Sequence, residues 1–200
     1  MHSAASSQHS LHYVSVSSAP GHTIRIVGDV GMKEGIQRIT LTDHGQTGPA
    51  KALVSGRKVY IQGNAFTLQV YFGFSALKAK FYAGTWISVP RSSAGPGYAT
   101  LSADVTFPSF LSHLFPPRTK LSLVTDGSLI GVRGMARAQS GVDGTTTLFA
   151  PAHGKPLPVK ETAQASKNRG TGVVTMTRWN AAVHIRAPRH AIPISSVIGH

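Results

Sequence analysis

The feature that most limits how this chain can fold is a two-residue alternation of apolar and polar side chains. It begins at Leu11 and Tyr13, continues through Val16, and returns as Ile24 and Ile26 in HTIRIVG and as Ile36, Ile39 and Leu41 in GIQRITLT. A strand sends successive side chains to opposite faces, so such runs read as half-buried strands, and the short turn-rich links between them call for antiparallel pairing. DHGQTG is turn chemistry leading into AKALVSG, and RKVYIQG follows with Val59 and Ile61 on one side and Lys58 and Tyr60 on the other. After residue 118 the pattern resumes in KLSLVTDG, SLIGVRGMAR, TTTLFAPA, LPVKETAQ, TGVVTMTRW and AVHIRAP. About eleven or twelve strands are expected, a number at which a single sheet has to curl.

Between the two strand-rich parts lies QGNAFTLQVYFGFSALKAKFYAGTWISVP, residues 62–90, which holds seven of the fifteen aromatic residues. Asn64 is placed to cap one short helix, Gly73 interrupts it, Ser75 caps a second, and Gly84 suits a left-handed end. Phe66, Thr67, Val70 and Tyr71 make one face of the first helix, while Leu68 and Phe72 fall elsewhere, so the apolar surface is wider than a single core contact needs. A second helical element is expected at TFPSFLSHLF, with Thr106 as its cap and Pro108 in its first turn. Phe107, Phe110, Leu111, Leu114 and Phe115 give it a broad apolar surface. RSSAGPGYA reads as a loop, with Arg91 to Tyr98 as a candidate gate. The fold class expected is therefore α+β: a strongly curved antiparallel half-barrel with short helices over its concave face. Residues 1–10 are expected to be a flexible leader and 11–200 a single domain.

Lys and Arg number 20 against 7 acids, a formal net charge of +13. That suits anionic partners such as phospholipid headgroups, cell-wall polymers or nucleic acid. The basic residues are scattered along strand positions with no run longer than Arg57 and Lys58, the pattern of a solvated sheet face. Nucleic-acid binding is not expected, because the aromatics that would stack on bases lie mostly on helices. There is no cysteine, hence no disulfide and no thiolate metal site. Met1 to Ser10 has no apolar core of a signal peptide, and no run approaches a membrane span.

Catalytic chemistry is poorly served. The acids are Asp29, Glu34, Asp43, Asp104, Asp126, Asp143 and Glu161, and no nucleophile elbow, phosphate loop or dinucleotide fingerprint occurs. His9 and His12 have a spacing that could chelate on a helix, but their segment reads as leader and strand, and His184 and His190 lack a supporting carboxylate nearby in sequence, so no metal and no cofactor are expected. What remains is apolar recognition. Burying an acyl chain of about sixteen carbons gains on the order of 10 kcal/mol before ordering costs. The candidate lining is Phe66, Val70, Tyr71, Phe74, Leu77, Phe81, Phe107, Phe110, Leu111 and Leu114, with the space beneath filled either by lipid or by side chains.

The order of VYIQGN, an aromatic-rich helix pair, YAGTWISVP, GKPLPVKE and VVTMTRWNAAVHIRAP resembles the LppX/LprG group of actinobacterial lipoproteins, related in fold to the periplasmic carrier LolA. The resemblance runs from Leu11 to Ile194. It implies a curved half-barrel with helices across its concave side and a hydrophobic cavity for a lipid or lipoglycan. It also implies an exported protein of the cell envelope, anchored through a lipidated N-terminal cysteine that this sequence lacks; separately, a monomer is expected and, from the absence of catalytic motifs, no enzyme. An anionic membrane surface is a further expected partner, on charge alone. The alternative is an envelope scaffold that binds an acidic polymer or protein through its basic sheet face.

Overall fold

The computed structural model describes residues 1–92, 97–115, 119–137 and 143–198. The first half is a meander of β1 (Ser10–Ala19), β2 (His22–Gly31), β3 (Gly35–Asp43), β4 (Gln46–Ser55) and β5 (Lys58–Gly63). Its hairpins are tight where the turn residues require it. His44 and Gly45 both take positive φ (46° and 85°), the left-handed pair of a two-residue turn, and Asp43 and Gln46 close the ladder on either side. Then come α2 (Ala65–Val70), α3 (Ala76–Phe81), β6 (Ile87–Pro90), α4 (Gly97–Leu101) and α5 (Phe107–Leu114). The second half runs β7 (Thr119–Asp126), β8 (Leu129–Arg137), β9 (Asp143–Pro151), β10 (Lys160–Ala165) and β11 (Thr171–Thr177).

All strands join one open sheet in the order β12-β6-β5-β4-β3-β2-β1-β11-β10-β9-β8-β7, where β12 is the short Ile192–Pro193. Pairing is antiparallel except for β12 beside β6. The halves meet where β1 pairs with β11, with Tyr13 opposite Met176. Twelve strands among the described residues, with short helices on one face, give the expected α+β half-barrel.

Helix caps follow the sequence. The Asn64 side chain accepts the Thr67 N–H at 2.9 Å, and the Ser75 hydroxyl accepts that of Lys78 at 3.4 Å. Gly73 and Gly84 both take positive φ. Thr106 stands at the cap of α5, without a side-chain bond to it.

Three expectations change. Residues 1–10 are not a loose leader: α1 (His2–Ser6) buries Ala5, Met1 packs on the core beside α5, and Gln8 is buried with its side-chain oxygen accepting from Asn180 at 2.6 Å. The loop expected over 91–99 contains a turn at Arg91 and Ser92 and α4 from Gly97; residues 93–96 of that candidate gate lie outside the described residues. AVHIRAP is not a ladder strand. It belongs to a strap that leaves β11, passes Gly31 at Val183, and gives the Ile185 N–H to Glu34 at 3.3 Å. It then reaches β6, where the Ile192 N–H donates to the Trp86 carbonyl at 2.8 Å. These anchors lie at the two ends of an outward-facing row, Ile36, Leu53, Tyr60 and Ser88. Leu53, Tyr60 and Ser88 are buried on the side away from most of the helices, and the Ser88 hydroxyl donates to the Ile192 carbonyl at the end of the strap at 3.5 Å.

Candidate functional site

The register fixes which side chains share the helix-covered face. One inward row runs from edge strand to meander as Leu123, Val132, Leu148, Glu161, Val174, Ser15, Ile26, Ile39 and Ala50. Two cores lie along that face. The first gathers Ile39, Ala50, Ala52, Val54, Val59, Ile61, Ile87 and Val89 under Tyr71, Phe72, Phe74, Tyr82, Tyr98 and Leu101 of the helical segments. Val197 of the short C-terminal helix α6 (Ile194–Ile198) joins them. The second gathers Leu11, Tyr13, Val30, Leu148 and Met176 under Phe107, Phe110 and Leu114 of α5. The Tyr13 and Phe110 rings lie 4.6 Å apart, and Phe107 stands edge-on to Trp179 at 6.2 Å.

Between the cores is a buried polar joint. The Gln37 amide donates to the Tyr13 hydroxyl at 2.7 Å and to the Ala103 carbonyl at 3.4 Å, and the Tyr13 hydroxyl donates to the Asp104 carbonyl at 3.4 Å. Burial pushes the Tyr13 phenol far above its ordinary value, with the Asp104 charge adding to the effect, so it stays a donor. Tyr71 is raised by the same two causes in the same order.

The inward face beyond α5 is different. Its next row is Gly134, Thr146, Ala163, Gly172 and Ser17, small side chains on five adjacent strands. At about 4.8 Å per strand they make a floor roughly 19 Å across. The corresponding positions of the meander are Ile24, Leu41 and Gly48, with Phe66 lying over Gly48. Leu121 and Leu123 of the edge strand are 63% and 78% exposed, and Ile130, on the far side of the Leu123–Val132 row from the small residues, is 40% exposed. This part of the sheet face is a shallow groove whose floor mixes apolar side chains with Glu161, Thr146 and Ser17.

Of the ten residues expected to line a cavity, Phe107, Phe110 and Leu114 are buried in the second core and Leu111 is half-buried against it. Tyr71 and Phe74 pack on the first core, and Phe66 is half-buried over Gly48. Val70, Leu77 and Phe81 face solvent. The set is therefore divided between two cores and an outer surface. The groove residues the sequence reading passed over are Leu121, Leu123, Ile130 and the small row. The alternation in KLSLVTDG marked Leu121 and Leu123 as one strand face, which was the available signal.

Ionisable groups near the groove are few. His113 Nδ1 lies 2.7 Å from Asp104, and this hydrogen bond, helped by the Asp104 and Glu161 charges, outweighs partial burial and raises the imidazole above its ordinary 6.5. The folded state thus holds the proton more tightly than the unfolded one. The resulting stability is fully present below about pH 6.5 and is lost as pH rises through the folded value. The His113 side chain is half-exposed, so the effect is expected to stay under about 1 kcal/mol. Melting curves should show a small decrease over that range in the wild type and none in His113→Gln; equal pH profiles would refute the assignment. On the outer face, Asp29 is pushed up by partial burial but pulled down further by His12, Arg38 and Arg178, so its contribution is lost only as pH falls through its lowered value. The outer face also carries an open depression of 470 Å³ lined by Arg133, four threonines, Gln164, Val173 and the backbone strands at Ala163 and Gly172, with Arg133 donating to Thr147 at 3.2 Å. That lining sets polar side chains beside the exposed Val173.

No protein-family model matches the chain, and no curated protein matches it in sequence. Solved structures do. LprF from Mycobacterium bovis is similar with a TM-score of 0.51 at 16% identity, covering 94% of this chain and 92% of LprF. The Mycobacterium tuberculosis lipoprotein LppX is similar with a TM-score of 0.50 at 16% identity, covering 92% of this chain and 93% of LppX. Over nearly its whole length, the chain has the fold of LprF and LppX.

Proposed function

We propose that this protein is a non-enzymatic carrier of the cell envelope that holds the acyl part of a lipid or lipoglycan on the inner face of β7–β11, beside α5. The observation that carries the reading is the contrast between the two halves of one sheet face. Over β3–β6 large side chains from sheet and helices meet in a closed core, whereas over β7–β11 the floor is small and Leu121, Leu123 and Ile130 stand in solvent. Exposed apolar area of this kind is a cost to a monomer unless a ligand covers it. Hydrocarbon recognition needs no catalytic side chain, only area.

The test is organic extraction of the purified protein followed by mass spectrometry. Wild-type protein is expected to release acyl lipid, and Leu123→Asp with Ile130→Asp to lower the yield severalfold at unchanged melting temperature, since both positions are exposed. An equal yield from the double variant would exclude this face as the site. Phe110 is unsuitable for such a test, because it stacks on Tyr13 and its loss reports stability.

The polymer-binding alternative draws less support from the outer face, where Asp29 engages Arg38 at 3.4 Å and Arg178 at 3.2 Å, so part of the basic surface is already paired.

A further inference from the structure

Helix α3 turns most of its surface to solvent. Its one buried residue is Ala79, while Leu77 and Phe81, one turn apart, are 81% and 78% exposed, and Val70 at the end of the adjoining α2 is 44% exposed. Large apolar side chains at such exposure, three within twelve residues, form a patch and not the scattered exposure normal for a monomer. Lys80 is exposed between Leu77 and Phe81 in sequence.

The electrostatic surroundings are one-sided. No Asp or Glu occurs from His44 to Ala103 or from Thr162 to His200. Every element that holds α3 comes from these two stretches. It packs on α2, the Tyr82 hydroxyl donates to the Ser196 carbonyl of α6 at 3.3 Å, and the Gly84 N–H following it donates to the Gly63 carbonyl of β5 at 2.8 Å. The exposed leucine and phenylalanine therefore project from a surface that carries basic groups and no nearby acid in its own segments.

We infer that α3 docks the protein on an anionic lipid bilayer, with Leu77 and Phe81 entering the headgroup–acyl boundary and Lys80 lying against the phosphates. An amphipathic element with apolar tips and basic flanks binds such an interface through both contributions. A second copy of the chain is a poor occupant, because two acid-free basic surfaces would face each other on molecules of net charge +13. The inference extends the carrier reading by giving the carrier a membrane on which to load or unload. It rests on a surface separate from the groove.

The experiment is co-sedimentation of the purified protein with vesicles of phosphatidylcholine alone and of phosphatidylcholine with about one-third phosphatidylglycerol. Binding is expected to the anionic vesicles and to weaken with added salt. Leu77→Ser with Phe81→Ser should weaken it by at least about tenfold, and Lys80→Gln by about fivefold, with melting temperature and extractable lipid unchanged. Equal binding by the double variant, or equal binding to neutral and anionic vesicles, overturns the inference. So does a double variant that loses self-association in sedimentation equilibrium while still binding vesicles. A wild-type protein that releases no lipid, yet binds anionic vesicles through Leu77 and Phe81, would refute the carrier and leave the docking intact.

Discussion

Gly35→Ala is expected to destabilise the protein by about 3 kcal/mol or more and to lower its melting temperature by about 10 °C. A Cβ at this position would stand 1.8 Å from the carbonyl oxygen of Val105 and 3.0 Å from that of Asp29. Both obstacles are backbone, so no side-chain rotation relieves them. Val105 cannot retreat easily, since its side chain is fully buried in the first core and its N–H bonds the Ser102 carbonyl. Gly35 is thus where the link between α4 and α5 closes on the sheet, next to the Tyr13–Gln37 joint. Gly172→Ala is the control. A Cβ there meets nothing closer than 3.5 Å, and its melting temperature should stay near the wild-type value. Calorimetric melting of both variants decides the matter; a Gly35→Ala protein that melts with the wild type would refute the account.

Phe107→Ala is expected to cost about 3–5 kcal/mol, the usual range for a buried phenylalanine reduced to alanine. Phe107 is 2% exposed at the start of α5, packs in the second core, and meets Trp179 edge-on. Trp179 in turn donates its indole N–H to the Pro158 carbonyl at 3.2 Å, so one ring ties α5 to the segment that follows β11 and to the approach to β10. Its removal should loosen all three together. Denaturant unfolding followed by tryptophan fluorescence should show a lower midpoint with an unchanged slope. A loss below about 1 kcal/mol would mean that α5 is held mainly by other contacts.

The strands were legible because alternation is a direct image of the pleat, and the longer helices because Asn64, Ser75 and Pro108 mark their starts. The five-residue helices α1, α4 and α6 were not. Helices so short have no stability of their own; Ala5 of the first is buried, and Tyr98, Leu101 and Val197 of the other two are drawn into a core assembled from distant residues. AVHIRAP misled for a related reason: Val183 and Ile185 alternate with exposed neighbours because one side of the strap lies against the protein, and a strap satisfies that pattern without a ladder. The site was half legible. The ten large apolar residues singled out from sequence mark where the chain is filled or where it protrudes. The floor proposed for the ligand is made by Gly134, Thr146, Ala163, Gly172 and Ser17, whose smallness becomes meaningful only when the register sets them side by side.

The pairing of β1 with β11 has a kinetic consequence. The His9 N–H bonds the Asn180 side chain across 171 residues of sequence, and the ladder beside it joins the first strand of the sheet to the last long one. A meander of β1–β5 has local contacts and can form early, but until β11 exists its β1 edge is open, with the inward Leu11 and Tyr13 lacking Met176. Contacts of such long range form slowly. Refolding is therefore expected to pause with the meander assembled, and in that interval the bare β1 edge is the place where two unfinished chains would join.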